Sequence, residues 1–471
     1  MTKEISIVWF RQDLRILDNL TIAAASEKGQ ILPIYILDDC APKLFKIGSS
    51  TKIWLYHSLD KLNESLKGNL NLYTGKSHEI IEVLINRYAV KNIFWNICYE
   101  PWHLEQEDRI KDICNKTSTN WKSFNSNYLW NPQDIMKNDG SYYKVFTAYK
   151  NKSFLLVSRE SISAPKNLNF VKDDINKTNL KNLGLMPKNE WHKNIVKSWN
   201  MGEIAAQKKL NIFVEDRLLG YKEGRNYPAK DQTSLLSPHL HFGEISPSQI
   251  LQSIQGTGNL YAQSAEIEHF VSELIWREFS CYLLHHFKTL HIENFNSKFN
   301  TFAWENNAFF LQAWQTGNTG YPLVDAGMRQ LWQTGYMHNR VRMIVASFLV
   351  KNLNIHWHQG RDWFWDCLVD ADLANNSASW QWVAGCGVDA APYFRIFNPI
   401  SQGEKFDSNG DYTRKFVPEL KNMPNKYLFK PWDAPDDVLK TAGVVLGKTY
   451  PRPIVDLAAS RKKALERNNN L

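Results

Sequence analysis

The feature that most constrains this chain is an alternation near its start. Four short β-rich runs, "ISIVWF", "ILPIYIL", "LNLYTG" and "NIFWNI", are separated by helix-length stretches such as "NLTIAAASEKG" and "STKIWLYHSLDKLNESLKG". Hairpins would need only short turns between strands. Crossovers of this length predict parallel strands with helices packed on the sheet. Residues 1–130 are therefore expected to form an α/β domain built on a doubly wound parallel sheet. From 131 to 197 the periodicity dissolves into Asn, Lys, Ser and Pro ("SAPKNLNFVKDDINKTNLKNLGLMPKNE"), which reads as an interdomain linker lying along the surface. Helical spacing then dominates from 198 to 471, as in "AEIEHFVSELIWREFSCYLLHHF" and "HNRVRMIVASFLVKNL". That part is expected to be mostly α-helical, and 471 residues suit two domains.

Composition narrows the function less. A net charge of +8 fits a polyanion partner without requiring one. The 18 tryptophans and 19 tyrosines exceed what an aliphatic core needs, so they suit either stacking and redox work or an aromatic-rich core. Cys40, Cys98, Cys114, Cys281, Cys367 and Cys386 are scattered, without a C-x-x-C pair, and read as reduced, buried thiols. "MTKEISIVWFRQDLR" is no secretory signal, and no apolar run reaches membrane-spanning length. A soluble cytoplasmic protein is expected, with no membrane partner. "GCGVDA" matches a loose dinucleotide fingerprint but lies in a helical context, and "HWH" (356–358) lacks a third ligand, so no metal is expected. Neither a G-x-S-x-G elbow nor a P-loop occurs.

Three segments carry chemistry. In "TSLLSPHLHFGEISP", Thr233, Ser234 and Ser237 place hydroxyls at a helix start, and Ser246-Pro247 repeats the pattern. Phosphate binding and plain capping both explain this. On the helix around Glu273, the residues Glu273, Trp276, Arg277 and Ser280 share one face, either a binding wall or a solvated side. In "MHNRVRMIVASF", Asn339, Arg342 and Met343 share another, and an Asn inside such a helix needs a partner. "DADLANNSASWQW" (370–382) brings two carboxylates, two amides and two indoles into one run that cannot simply fill a core. Together these suggest a cavity for a flat heteroaromatic ligand.

"WFRQDLRILDN", "TSLLSPHLHFGEISP", "ELIWREF", "GYPLVDAGMRQLWQTGYMHNRVRM" and "DADLANNSASWQWVAGCGVDAAPYFRIFNP" resemble the photolyase/cryptochrome family, nearest to its class I cyclobutane pyrimidine dimer photolyases. The likeness runs in order over nearly the whole chain. It implies an α/β antenna domain followed by a helical FAD-binding domain. It also implies light-dependent repair of pyrimidine dimers in UV-damaged DNA, by electron transfer from excited reduced FAD to a flipped-out lesion, in a protein expected to act as a monomer.

By the same resemblance, FAD would be held by Tyr221, Thr233, Ser234, Leu235, Leu236, Ser237, Arg277, Arg342, Asp370, Ala371, Asp372 and Asn376. Arg342 would pair with an aspartate, and the Asn376 amide would face the flavin N5 and favour the anionic reduced form. Trp380, Trp357 and Trp304 would form the electron-transfer chain. Glu273, Asn339, Met343 and Asn376 would serve catalysis. Lesion and DNA contacts would come from Arg225, Glu273, Trp276, Arg277, Asn339, Arg340, Trp382, Arg395 and Gln402.

The antenna is left open. "KIGSSTKIWLYHSL" and "NICYEP" resemble the deazaflavin-binding branch, but Cys98 stands where that branch has an aspartate, and His103 where folate binders have a glutamate. A deazaflavin, a folate, FMN or no second chromophore all remain open. Competing functions are a signalling cryptochrome, which usually carries a long C-terminal tail, a six-four photolyase, which would place histidines over the lesion, and a dark flavin oxidoreductase.

Overall fold

The structure, a computed structural model, describes residues 4–156, 158–173, 177–255 and 260–471. Four of the linker residues named above, Val157 and 174–176, lie outside these.

The apolar runs become β1 (Glu4–Phe10), β2 (Gly29–Leu37), β3 (Asn71–Thr74) and β4 (Asn92–Asn96), joined by β5 (Asn120–Phe124) and β6 (Asn169–Phe170). The sheet has the order β3-β2-β1-β4-β5, with β6 pairing β2, and every pair is parallel. Ile7 lies opposite both Leu32 and Ile93, and all three are fully buried with Ile34 and Trp95 in one core. Burial on both faces explains why these strands read as unbroken apolar runs. β5, "NWKSF", is an edge strand exposed along most of its length, so its sequence carries no such run.

The linker is stitched to the sheet. β6 adds two residues beside Gln30 and Ile31. Just beyond it the buried Asp173 accepts from the hydroxyls of Tyr73 (2.8 Å) and Tyr88 (2.7 Å) and pairs with Arg87.

Compactness groups the chain differently from the three sequence segments. One unit runs to Leu219 and takes in Ser234–Lys288 and Val369–Asp372; the other comprises Gly220–Thr233, Thr289–Leu368 and Leu373–Leu471. Trp54 shows why helices after 198 belong with the sheet. Its ring packs on Trp199, His239 and Phe242, and its Nε1 donates to the buried Glu244 at 3.2 Å. Glu244 also accepts from Gly202 N and the His239 ring.

The second unit is helical, as its periodicity predicts, with isolated bridges in place of a sheet among its described residues. Side-chain caps start several helices: Asn307 accepts from Phe310 N, Asn398 from Ile400 N, and Asp456 from Ala459 N. Among the described residues no helix is long and apolar enough to cross a membrane.

Candidate functional site

In the first unit the helix Leu260–His286 carries Glu273, Trp276 and Arg277, each half-buried and sharing the face read from their spacing. Trp276 is held rigid. The Phe146 ring lies against it at 3.6 Å and 5° from parallel. Arg277 is turned toward the loop after β5, donating to Asn127 O at 2.8 Å with its guanidinium 4.2 Å from the Tyr128 ring. Glu278 beside it is buried, and burial pushes its carboxyl up to about 7 against the opposing pull of Arg277.

The hydroxyl-rich turn departs from the sequence expectation. Leu235 adopts φ 53°, a left-handed conformation that bulky residues rarely take. The helix that follows is only Ser237–His241, and Leu236 occupies its N-cap. Ser237 therefore does not cap. It lies inside the first turn, and its Oγ donates to Asp370 Oδ2 at 2.6 Å. Ser246 does cap: its Oγ accepts from Gln249 N (3.0 Å), while Gln249 Oε1 accepts from Ser246 N (2.8 Å). Ala371 and Asp372 are buried, with Asp372 Oδ2 3.9 Å from the His241 ring.

In the second unit the guanidiniums gather. Arg225, Arg340 and Arg342 all raise the positive potential at the buried His338, whose imidazole is driven by burial first, and then by these charges, down to about 3. Arg340 donates to Asn226 Oδ1 and lies 4.5 Å over the Phe406 ring, while Arg342 Nε donates to Met337 O. Tyr221 is buried with Arg225 over its ring at 5.4 Å. Asn339, expected inside a helix and in need of a partner, instead opens the helix Asn339–Ser347 in an exposed position, because His338 takes the cap. Met343, one turn on, is half-buried, as is Gln402; Arg395 is exposed.

The helix Leu373–Ala384 carries Asn376, Trp380 and Trp382. Asn376 is buried and donates from Nδ2 to Arg361 O at 3.0 Å, which leaves the second N–H of that amide for another acceptor. Trp380 is buried against the helix Trp357–Cys367, where a Cβ on Gly360 would come within 2.1 Å of its ring. Trp357 lies one turn before Gly360, fully buried, its Nε1 donating to Asn294 Oδ1. Trp304 and Trp357 flank His356, with ring centroids 5.1 and 5.8 Å from it. Trp382 is half-buried.

Several buried polar atoms in these segments have no hydrogen-bond partner among the described residues: His241 Nδ1, His338 Nε2, Arg340 Nε and Ser377 Oγ. Buried groups of this kind call for a bound partner. Within the second unit alone, the Arg340 guanidinium, the Asn376 amide and the Ser377 hydroxyl are donors of the kinds that suit a ligand carrying both phosphate and a polar ring system, as FAD does.

Residues 270–470 match the FAD-binding domain of DNA photolyase, and residues 6–166 match the DNA photolyase family. A deoxyribodipyrimidine photo-lyase of Agrobacterium fabrum is 46% identical over 467 residues, spanning 98% of this chain and 96% of that protein. This chain belongs to the photolyase/cryptochrome family. Cryptochrome-2 of Arabidopsis thaliana is 36% identical over 98% of this chain and 79% of its own length, so both branches of the family are represented among its relatives. A bacterial class III photolyase from Agrobacterium tumefaciens superposes with TM-score 0.95 at 44% identity, covering 100% of this chain and 98% of that one. That neighbour is a class III photolyase, whereas the sequence motifs resemble class I most. An archaeal photolyase from Sulfolobus tokodaii, solved with two FAD molecules, gives TM-score 0.83 at 28% identity over 99% of this chain.

Sequence reasoning missed Phe146, and weighed His356 only as a metal ligand. Phe146 sits in the segment read as linker, far in sequence from the indole it supports. His356 belongs to "HWH", where the two histidine rings pack 4.3 Å apart. Among the described residues no three His, Cys, Asp or Glu side chains come together to hold a metal ion. In open α/β sheets the crevice at the reversal of strand order, here between β1 and β4, is the usual ligand place. Just past the ends of these two strands Arg11 and Glu107 form a buried pair (2.6 Å), with Arg11 also bonded to Asn96 O and Cys98 N approaching Glu107. His103 is held neutral by burial, next to Trp102, which stacks on Phe45 at 5.9 Å.

Proposed function

We propose that the chain repairs cyclobutane pyrimidine dimers in DNA under blue light. The observation that carries this reading is the residue set on two helix faces: Glu273 with Trp276 on one, Asn339 with Met343 on the other. FAD, when bound and reduced, supplies the electron that opens the dimer on illumination.

The chain's own residues position and stabilise. Trp276, stiffened by Phe146, offers a flat platform for a base that has left the duplex, and Trp382 would close over it. The Glu273 carboxylate would accept from an imino N–H of the lesion, and the exposed Asn339 amide would meet its carbonyls. Met343 packs softly against a ring. Arg225 and Arg340, already crowded by like charge, would gain from phosphate contacts, as would Arg395 and Gln402, without reading sequence. Tyr221, Arg342 and the 233–237 turn would hold the cofactor's phosphates and chain, with Asp370 and Asp372 near its ring. Asn376 would present its second N–H to the flavin without giving up a proton. Trp304, Trp357 and Trp380 would relay electrons inward from the surface.

The test uses the flavin-loaded protein, photoreduced without oxygen and mixed with an oligonucleotide bearing one thymine dimer. Thymine absorbance is expected to recover under blue light and not in the dark. No recovery with FAD fully reduced would favour the cryptochrome reading, which the 36% identity to Cryptochrome-2 keeps in play.

A further inference from the structure

A cavity of about 270 Å³ lies within the second unit, and its lining includes none of the residues assigned above. Its wall comes from three places in the chain: Glu305 and Phe310, then Lys351, Asn352 and Asn354, then the C-terminal helix Leu457–Asn469 with the residues just before it. Phe310, Val455, Ala459 and Ala464 supply an apolar floor, and Lys351, Lys463 and Arg467 supply cationic groups.

The carboxylates do not balance these cations. Glu305 receives both Lys463 and Arg467, the latter at 2.7 Å, and Asp456 is committed to capping its helix at Ala459 N. Lys351 is 2% exposed and donates to a neutral acceptor, Arg395 O, at 3.0 Å. Burial, together with the Arg395 charge, holds its ammonium down to about 8. Three polar atoms of this wall are buried without hydrogen-bond partners among the described residues: Arg467 Nη1, Asn352 Oδ1 and Asn354 Oδ1. One is a cationic donor and two are amide acceptors.

We infer that this cavity binds a small organic anion, a carboxylate on a short aromatic or cyclic body that also carries a hydroxyl or N–H donor. The carboxylate answers Lys351, Lys463 and Arg467. The body covers Phe310 and Val455, and the donor answers the amide oxygens of Asn352 and Asn354. Inorganic phosphate meets only the first of these demands. The lining takes none of the side chains assigned to repair. Its wall flanks Trp304 in the chain, since Asn354 Nδ2 holds Ala303 O and Asn354 O receives Glu305 N.

The experiment is calorimetric titration of the flavin-loaded full chain in the dark with 4-hydroxybenzoate, with its uncharged amide, and with inorganic phosphate. One-to-one binding of the carboxylate, at least tenfold tighter than the amide, is expected. Phosphate at equal concentration should not displace it. Lys463→Gln is a safe variant because that side chain is more than half exposed, and it should weaken binding several-fold with an unchanged melting temperature. Near pH 8 binding should take up a proton onto Lys351, seen as a heat that varies with buffer ionisation. Arg395 is the charge that acts on that group, and Glu305, Asp456, Lys463 and Arg467 line the same cavity. No saturable heat, equal affinity for acid and amide, or an unaffected Lys463→Gln would overturn the site. Displacement by phosphate would overturn the ligand class.

Discussion

Glu273 and Trp276 lie one turn apart, yet under the proposed repair the two side chains would make different demands on the lesion. An indole platform binds the ground state, whereas a carboxylate that bonds the dimer more strongly as charge develops acts mainly on the rate. Glu273→Ala is therefore expected to lower repair yield about tenfold while changing lesion affinity less than about threefold. Flash photolysis beside equilibrium binding separates the two, and equal losses would assign Glu273 to binding alone. The charge cluster makes a second demand. If Arg340 meets a DNA phosphate, Arg340→Gln should reduce the slope of log affinity against log salt by about one unit. An unaltered slope would confine that guanidinium to its Asn226 and Phe406 contacts. Glu273 and Trp276 are legible from their spacing along one helix. Phe146 is not, because a stacking partner 130 positions away leaves no periodic mark.

At the scale of elements, the helix Trp357–Cys367 is shaped by what touches it. Gly360 lies in its interior, where alanine would normally gain about 1 kcal/mol of helix propensity. The Trp380 ring occupies the space that a Cβ would need. Overpacking of that kind costs about 1–3 kcal/mol, so Gly360→Ala should be net destabilising. Urea unfolding would show this as a lower midpoint at constant slope, and the displaced indole should slow flavin photoreduction. A stable variant with unchanged photoreduction would show that the ring can shift freely. β1 to β4 are readable because both faces of each strand are apolar. β5 is not, since an edge strand exposes its side chains, and the two-residue β6 is shorter than any periodicity. The 233–237 turn misleads for a related reason. Its hydroxyl pattern suggests capping, but the left-handed Leu235 moves the helix start by one residue.

Over the whole molecule, three histidines of the second unit are held neutral. Burial, with neighbouring arginines, lowers His338 to about 3, His356 to about 4 and His358 to about 3. In the unfolded chain each titrates near ~6.5. Folded values below unfolded ones mean the stabilisation is complete above pH ~6.5 and is lost as pH falls toward 4, since the unfolded state then binds the extra protons. Stability measured between pH ~6.5 and ~5 should fall steeply with acid. His338→Asn, which keeps a helix-capping acceptor, should flatten that fall by about 1 kcal/mol per pH unit; an unchanged slope would mean that His338 titrates freely. β6 bears on how such a molecule can be taken apart. A fragment ended at residue 130 would bare part of the β2 edge and strand the Tyr73 and Tyr88 hydroxyls without their acceptor, Asp173. The natural seam for recombination or excision therefore lies beyond Asp173, and a segment that reads as a tether works as a clasp.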